Sequence, residues 1–312
     1  MARVLILLMF FVFRFNVLKA ANIVLSASAS GRFIVFENTR NQKKVLMNLS
    51  EKKMLRELDS LSTPISWIKD SILICKEEKN NQILICSYSL HGKKYEVLDS
   101  LSKEIWQLLG RADFVSYPLN VDLWSDLFFI YVQESKIYKY SFKEKISECI
   151  FDLKLSSEEM IDNISVNNDC KQIAISLKKD GEGKHVIIYP IKQQIKVLNE
   201  FKTNELSGSF CYFLDANNIA SFTVTSEDGD LTTRIEVFNI KKNVKRKVAT
   251  IEHLSLFYPL AIPFQNKIVI NSFSPIPFSV DLKKDSQSFS RFLNKWLTLF
   301  NAITIHYSFT AG

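Results

Sequence analysis

The chain has 312 residues, of which 47% are hydrophobic and 23% charged, a balance that excludes an intrinsically disordered protein and allows a large buried core. Its net charge of +7 includes three cations of the amino-terminal segment, Arg3, Arg14 and Lys19, so the rest of the chain carries only +4. That mildly basic balance argues against a nucleic-acid-binding protein. With only 8 Gly and 7 Pro, the turns must rely on Asn, Asp, Ser and Lys.

The chain begins with the features of an export signal. Arg3 precedes ten consecutive apolar residues at positions 4–13. The small residues Ala20 and Ala21 follow at the place where a signal peptidase would cut. Ten apolar residues are too few to span a bilayer, so this pattern favours a secretory signal over a membrane-spanning helix.

We therefore expect residues 1–21 to be a cleaved signal peptide and residues 22–312 to form a single domain that is exported to the periplasm. Arg14 and Lys19 are unusual so close to a cleavage point. An uncleaved anchor and a buried segment are the alternatives. No cysteine lies near the expected cut, which argues against a lipoprotein.

After this segment, one pattern of strands and turns returns six times. Each unit has a turn-rich start, an apolar run, a polar turn, an alternating strand, a basic turn and a last strand. The alternating strands are spaced 38 to 54 residues apart and begin at Val45, Ile83, Ile137, Val186, Ile235 and Phe278. A strand-rich repeat of this length predicts an all-β fold, a six-bladed β-propeller whose blades are antiparallel sheets of about four strands.

The second strand of each unit is often a nearly continuous apolar run, as at residues 72–75 and 127–131. Such runs predict burial on both faces, which a middle strand experiences between neighbouring blades. Two other segments, 99–109 and 286–300, carry apolar residues at helical spacing. We expect short helices there as insertions on the propeller; the second either docks on it, lies on a membrane or binds a partner.

Five cysteines are present, and none is spaced as a CxxC pair. A hairpin that turns at Asn80 and Asn81 places Cys75 directly opposite Cys86, and facing strand positions can come close enough for a disulfide. The odd number of cysteines argues against a full disulfide framework. Buried free thiols are the interpretation that we prefer, with a bridge between Cys75 and Cys86 as the alternative.

The first unit carries a recognisable repeat. The stretch SASGRFIVFENTR at residues 28–40, followed by a strand that ends at Leu49, resembles the WD40-like (PD40) repeat of TolB-like propellers. That repeat has a Ser-Pro-Asp-Gly-Lys/Arg turn, an apolar strand ending in Phe, a polar turn and an Ile-Tyr strand. Weaker versions occur at residues 167–175 and 213–220. The repeats are degenerate, since Ala29 and Ser30 stand where the family has Pro and Asp.

The resemblance implies a six-bladed propeller in the periplasm whose partners are envelope proteins, including a peptidoglycan-associated lipoprotein. TolB has a further domain before its propeller, and we expect this chain to lack it because the repeats begin directly after the signal. A role in the Tol-Pal system is one possibility that follows from the resemblance.

Residues that would commit the chain to a reaction are scarce. The four histidines, His91, His185, His253 and His306, are isolated, and no HExxH, Gly-x-Ser-x-Gly or phosphate-binding motif is present. The acidic stretch at 226–230 resembles half of a calcium loop but is also a natural hairpin turn. We therefore expect no enzymatic activity, no cofactor and no bound metal.

The alternative is a metal-dependent hydrolase or lactonase that uses the central channel of the propeller. Its metal ligands would be polar residues near the turns that follow the first strands, namely Asp70, Asn120, Asp122, Asn167, Asn168, Asp169 and Asp215. In the TolB-like repeat, however, the Asp of this turn generally organises the local backbone.

The leading hypothesis is a monomeric, exported interaction module that binds an envelope protein, with peripheral membrane association as a further option. Aromatic residues in or beside connections are the best candidates for partner binding, and these are Trp67, Trp106, Tyr117 and Trp124. A core position is the competing interpretation for Trp67. We interpret the lysine-rich stretch 241–247 as a solvated turn and expect no nucleic-acid partner.

Overall fold

The computed structural model describes residues 22–281, apart from positions 29, 39–40, 52, 81, 91–94, 203–207, 228–229, 253–255, 265–266 and 273–277. Side chains are described within 23–250, with the same gaps and that of 226–231. The expected signal at 1–21, the helix expected at 286–300, and His91, His253 and His306 lie outside the described residues. Within them, no helix is long and apolar enough to cross a membrane.

The chain folds into an all-β propeller of four-stranded antiparallel blades, in which each strand pairs with the next strand of the same blade. The first blade consists of β1 (Asn22–Ala27), β2 (Phe33–Asn38), β3 (Lys43–Asn48) and β4 (Lys53–Leu58). The second blade consists of β5 (Ser62–Ile68), β6 (Ile72–Lys79), β7 (Gln82–Ser89) and β8 (Tyr95–Leu101).

The third blade follows the helix α1 (Lys103–Leu109) and has a more elaborate first connection. It consists of β9 (Phe114–Ser116), β11 (Phe128–Gln133), β12 (Lys136–Ser141) and β13 (Ile146–Asp152). Between β9 and β11, the short strand β10 (Asn120–Val121) pairs in parallel with β5 of the second blade. A 3₁₀ turn at Trp124–Asp126 then leads into β11.

The fourth and fifth blades each consist of four strands. The fourth consists of β14 (Met160–Val166), β15 (Ile173–Lys179), β16 (Glu182–Tyr189) and β17 (Gln194–Lys202), with a 3₁₀ turn at Pro190–Lys192. The fifth consists of β18 (Ser209–Phe213), β19 (Asn218–Glu227), β20 (Asp230–Asn239) and β21 (Val244–Glu252).

The prediction of six blades is wrong in number, because the structure has five four-stranded blades. The last strands, β22 (Leu256–Phe264), β23 (Lys267–Ser272) and β24 (Phe278–Asp281), form a sheet of three. The sequence repeat identifies hairpins of an apolar and an alternating strand, and such a hairpin does occur six times. The sixth unit, however, has no fourth strand among the described residues. Strand β22 contacts β18 of the fifth blade and β1 of the first, so this sheet lies between them.

The hydrophobic core lies between the blades. In β11 the residues Phe128 to Val132 are all buried, and in β15 so are Ile173 to Leu177. Both strands are second strands, so the apolar runs in the sequence correctly predicted burial on both faces. Leu, Ile, Val and Phe side chains of the third and fourth blades meet in one continuous cluster.

The turns use residues other than glycine. In the described part of the chain, twelve non-glycine residues have positive φ, among them Asp70 (57°), Asn80 (49°) and Asn243 (54°). Asn and Asp adopt this left-handed conformation more readily than most residues. This finding confirms that the scarcity of glycine is met by polar turn residues.

The helix expected over 99–109 is shorter in the structure. Residues up to Leu101 extend β8, because Ile83 of β7 still pairs with Leu101. The helix then begins after Ser102, whose Oγ accepts a hydrogen bond from the backbone N–H of Ile105 at 3.4 Å and caps the free end. Strand pairing thus took precedence over the helical pattern of the first three residues.

Cys75 and Cys86 face each other across β6 and β7, as the hairpin predicted. Both are fully buried, and both are free thiols. Burial raises the pKa of each thiol. The bridge that the sequence left open is not formed in this structure.

Candidate functional site

A cavity of about 690 Å³ lies where the first strands of the five blades converge. Each of these blades contributes to its wall, and representative residues are Ser26, Thr63, Tyr117, Asn167 and Tyr212. Central channels and their mouths are where propellers place variable loops on a rigid frame. We therefore regard this cavity as the candidate functional site.

Side chains hold the cavity wall together between the fourth and fifth blades. The Oδ1 of Asn163 accepts a hydrogen bond from the backbone N–H of Cys211 at 3.0 Å. Two residues later, the Oγ of Ser165 accepts from the N–H of Phe213 at 3.3 Å. Strands β14 and β18 are not paired in one sheet, so these side chains accept hydrogen bonds that a strand partner would otherwise accept.

Asp162 strengthens the same contact. Its Oδ2 accepts a hydrogen bond from the Oγ of Ser209 at 3.0 Å. Burial raises the pKa of Asp162, and the hydrogen bond from Ser209 offsets part of that increase. Three polar side chains of one inner strand, at positions 162, 163 and 165, thus contact the next inner strand.

Three carboxylates proposed as metal ligands bind nearby groups of the protein instead. Asp70 accepts two hydrogen bonds from the backbone N–H of Ser30, at 3.1 and 3.0 Å. Asp215 accepts from the N–H of Asn217 at 2.7 Å and from that of Asn218 at 2.9 Å. Asp169 pairs with the ammonium of Lys171 at 2.8 Å. These contacts agree with the alternative that such residues organise the turns.

The amides among the proposed ligands are used in a similar way. The Oδ1 of Asn167 accepts from the N–H of Gln172 at 3.1 Å, and that of Asn168 accepts from the N–H of Asn120 at 3.3 Å. Asp122 is exposed beside a second cavity of about 480 Å³. Among the described residues, no three His, Cys, Asp or Glu side chains are close enough together to hold a metal.

The structure places Trp67 in the core. It is fully buried, its Nε1 donates a hydrogen bond to the Oγ of Ser26 at 2.9 Å, and its ring stacks on Phe33 at a centroid distance of 6.4 Å. This is the core position that competed with a binding role in the sequence. In this conformation Trp67 supports the contact between the first two blades and has no surface to offer a partner.

The other three aromatic candidates are half-buried, and all three pack against one core cluster that contains Phe129 and Phe142. Tyr117 lines the central cavity, with its ring 5.8 Å from that of Phe129, and burial raises its pKa. Trp106 lies on α1, whereas Trp124 packs on Phe142 at 5.5 Å. Helix α1 precedes β9 and Trp124 follows it, so the two tryptophans lie in connections at opposite ends of that strand.

Sequence reasoning missed several cavity residues, namely Asn163, Ser165 and Tyr212. A signal for them was available, because all three lie in the first strand of a unit, which the repeat places innermost. Their role as contacts between blades could not be predicted, since it depends on how two inner strands are placed side by side.

Comparisons with known proteins assign this chain no family and no function. No protein-family model matches the sequence, and no curated protein matches it. Among solved structures, TolB from Acinetobacter baumannii is 12% identical, with a TM-score of 0.48, over 72% of this chain and 53% of that chain. This chain therefore spans about half the length of the TolB chain.

Two further solved structures show how widely the likeness extends. An oligogalacturonate lyase in complex with manganese is 9% identical, with a TM-score of 0.48, over 79% of this chain and 72% of that chain. A chain of a nidogen/laminin complex is 12% identical, with a TM-score of 0.48, over 85% of this chain and 91% of that chain. Because these proteins differ in function and share little sequence identity with this chain, the comparison assigns it no activity, substrate or partner.

Proposed function

We propose that this protein is an exported, non-enzymatic β-propeller that binds a protein partner of the cell envelope at the mouth of its central cavity. The apolar segment at 4–13 with Ala20 and Ala21 supports export. The TolB-like repeat at 28–40 supports an envelope partner, of which a peptidoglycan-associated lipoprotein is the first to test.

The observation that carries this proposal is the character of the cavity wall. Most of its polar side chains are engaged in holding turns and strands, as for Asn163, Asn167 and Asp215. Tyr117, by contrast, presents a hydroxyl for which the described residues provide no hydrogen-bond partner. An amphipathic ring with a free hydroxyl in a rigid wall is a common element of protein-binding sites.

The test is crosslinking in the native envelope with the full-length protein, followed by detection of the peptidoglycan-associated lipoprotein of the same cells. We expect a crosslinked complex, and the variant Tyr117→Ala should reduce its yield about tenfold, as loss of a central aromatic contact does. Lys53→Ala, an exposed position on β4, is the matched control and should leave the yield unchanged.

Two kinds of result would contradict the proposal. The first is the absence of the lipoprotein from all crosslinked samples, or equal loss in both variants. The second is a stoichiometric metal ion retained through dialysis together with hydrolysis of lactones or esters, which would support the channel hydrolase instead.

A further inference from the structure

We propose that the tips of the fourth and fifth blades form a docking surface for an anionic lipid bilayer. The surface consists of residues 190–197, which are the turn between β16 and β17 and the start of β17, and residues 240–247, which are the turn between β20 and β21 and the start of β21. We call it the tip surface. It is separate from the cavity mouth and does not depend on which partner binds there.

Hydrogen bonds between the two blades hold the two parts of the tip surface side by side. The Nζ of Lys196 donates to the Oδ1 of Asn243 at 2.7 Å. The Nζ of Lys245 donates to the Oδ1 of Asn199 at 3.2 Å. The two hairpin tips therefore act as one surface.

The charge of the tip surface is of one sign. Its two segments contain no Asp or Glu and seven cations, which are Lys192, Lys196, Lys241, Lys242, Lys245, Arg246 and Lys247. Lys245 pairs with Glu236 at 3.6 Å. No described carboxylate pairs with Lys192, Lys241, Lys242 or Lys247. Clusters of unpaired cations on a protein surface are attracted to anionic lipid headgroups.

Two exposed aliphatic side chains accompany these cations at the turns. Ile191 is 81% exposed and Val244 55%. Exposed aliphatic residues among lysines match the interface of a bilayer, where the aliphatic groups enter the acyl boundary and the ammonium groups remain at the phosphates. A folded acidic partner would instead need a shaped apolar patch, and these side chains project singly.

Corresponding tips of other blades differ. In the first blade, Glu51 pairs with Arg32 at 3.0 Å. In the third blade, Lys145 pairs with Asp99 at 3.1 Å, and Glu144 lies beside it in the turn. Exposed aliphatic residues occur there too, but with charges of both signs. Of these four tips, those of the fourth and fifth blades alone combine exposed aliphatic residues with a surplus of positive charge.

The test is cosedimentation of the full-length protein with vesicles of phosphatidylglycerol and phosphatidylcholine, against vesicles of phosphatidylcholine alone. We expect binding to the anionic vesicles that weakens steeply as salt is raised. The triple variant Lys192→Glu, Lys241→Glu, Lys242→Glu should lower binding at least tenfold. The separate variant Ile191→Ser should lower it several-fold at every salt concentration.

The matched control is Lys53→Glu, Lys103→Glu, Lys136→Glu, which changes the net charge equally at exposed positions elsewhere and should retain binding. Equal loss in the two triple variants would overturn the proposal, as would equal binding to both vesicle types. Binding to a DNA duplex but not to anionic vesicles would also overturn it. Thermal unfolding of each variant checks that the fold is retained, and lipoprotein crosslinking reports separately on the cavity.

Discussion

Glu77 is the most highly coordinated buried carboxylate in the described part of the chain. It lies 3% exposed between the first and second blades and accepts hydrogen bonds from the hydroxyls of Ser62 at 2.7 Å, Tyr95 at 2.9 Å and Tyr88. Burial alone would raise its pKa, but these three hydrogen bonds outweigh burial and hold the pKa below its usual value. The carboxylate is therefore charged in the folded protein.

Replacement of this carboxylate should be costly. Glu77→Gln removes the charge from three hydrogen bonds and makes one amide N–H₂ face hydroxyl groups, so we expect a loss of about 1–3 kcal/mol in the free energy of unfolding at pH 7. Urea denaturation measures it. Glu57→Gln, whose partner Lys43 is 3.2 Å away on the surface, is the control and should change little; equal effects would contradict the argument.

His185 makes stability depend on pH. Its Nδ1 lies 2.8 Å from the Oγ of Ser221, and its ring lies 4.6 Å from that of Phe201. Burial lowers the pKa of His185 from 6.5 to about 3. As the pH falls below 6.5, the unfolded chain therefore binds a proton that the folded protein does not, and stability decreases until the pH approaches 3.

We expect the free energy of unfolding to fall by about 1.4 kcal/mol per pH unit between about pH 6 and pH 4 through His185 alone. In His185→Gln this part of the slope should disappear. Carboxylates with a lowered pKa, such as Glu77 and Asp169, also make the folded protein less stable as the pH falls. Their contribution is the same in the original protein and in His185→Gln, so it cancels in the comparison. Urea titrations at several pH values measure the difference, and identical slopes would refute the assignment.

Residues differ in how far the sequence predicts their environment. The pairing of Cys75 with Cys86 could be predicted, because a hairpin fixes it within twelve residues. The burial of Trp67 could not be decided, since its hydrogen-bond partner Ser26 is 41 positions away in another blade. The environment of Glu77 could not be predicted either, because the sequence of one strand does not show that three hydroxyl groups will donate to the same carboxylate.

At the scale of the strands, β14 and β18 are joined by side chains of β14 that accept hydrogen bonds from the backbone of β18. This arrangement makes a prediction for hydrogen exchange. Asn163→Ala should expose the N–H of Cys211 to exchange, about tenfold faster, and leave that of Phe213 protected. Ser165→Ala should do the reverse. Each variant is the control for the other, and parallel changes at both amides would contradict separate bridges.

The elements were predictable where their cause is local. Apolar runs predicted the second strand of each unit, and alternating patterns predicted the third. Each pattern reflects the burial of that strand's own residues, so it can be read from the local sequence. The start of α1 was misplaced because pairing between Ile83 and Leu101 extends β8. The parallel pairing of β10 with β5 was not expected, since two residues carry no recognisable pattern.

At the scale of the whole molecule, the three-stranded sheet of β22 to β24 joins the end of the described chain to its beginning. A protein that stops after residue 252 would leave β1 and β18 without their neighbour β22. We expect its melting temperature to fall by at least about 10 °C and its denaturant transition to broaden. Thermal and urea unfolding measure both, and an unchanged transition would show that the five blades are stable alone.

The architecture was predictable because a repeat must bury each sheet against the next. The number of complete blades was not, because the repeat identifies hairpins and the last unit diverges after its third strand. The presence of a central cavity could be predicted from the fold. The residues that line it could not, because they depend on which side chains of the inner strands point inward.

The bridges between β14 and β18 join residues 47 or 48 positions apart, which is one repeat unit. The fourth unit thus brings a set of acceptors to the unit that follows it. Tandem duplication of such a segment would copy donors and acceptors together, whereas loss of a single residue within β14 would move them out of step. Change in this lineage should therefore accumulate in the outer loops or by whole modules, and rarely by small deletions in the innermost strands.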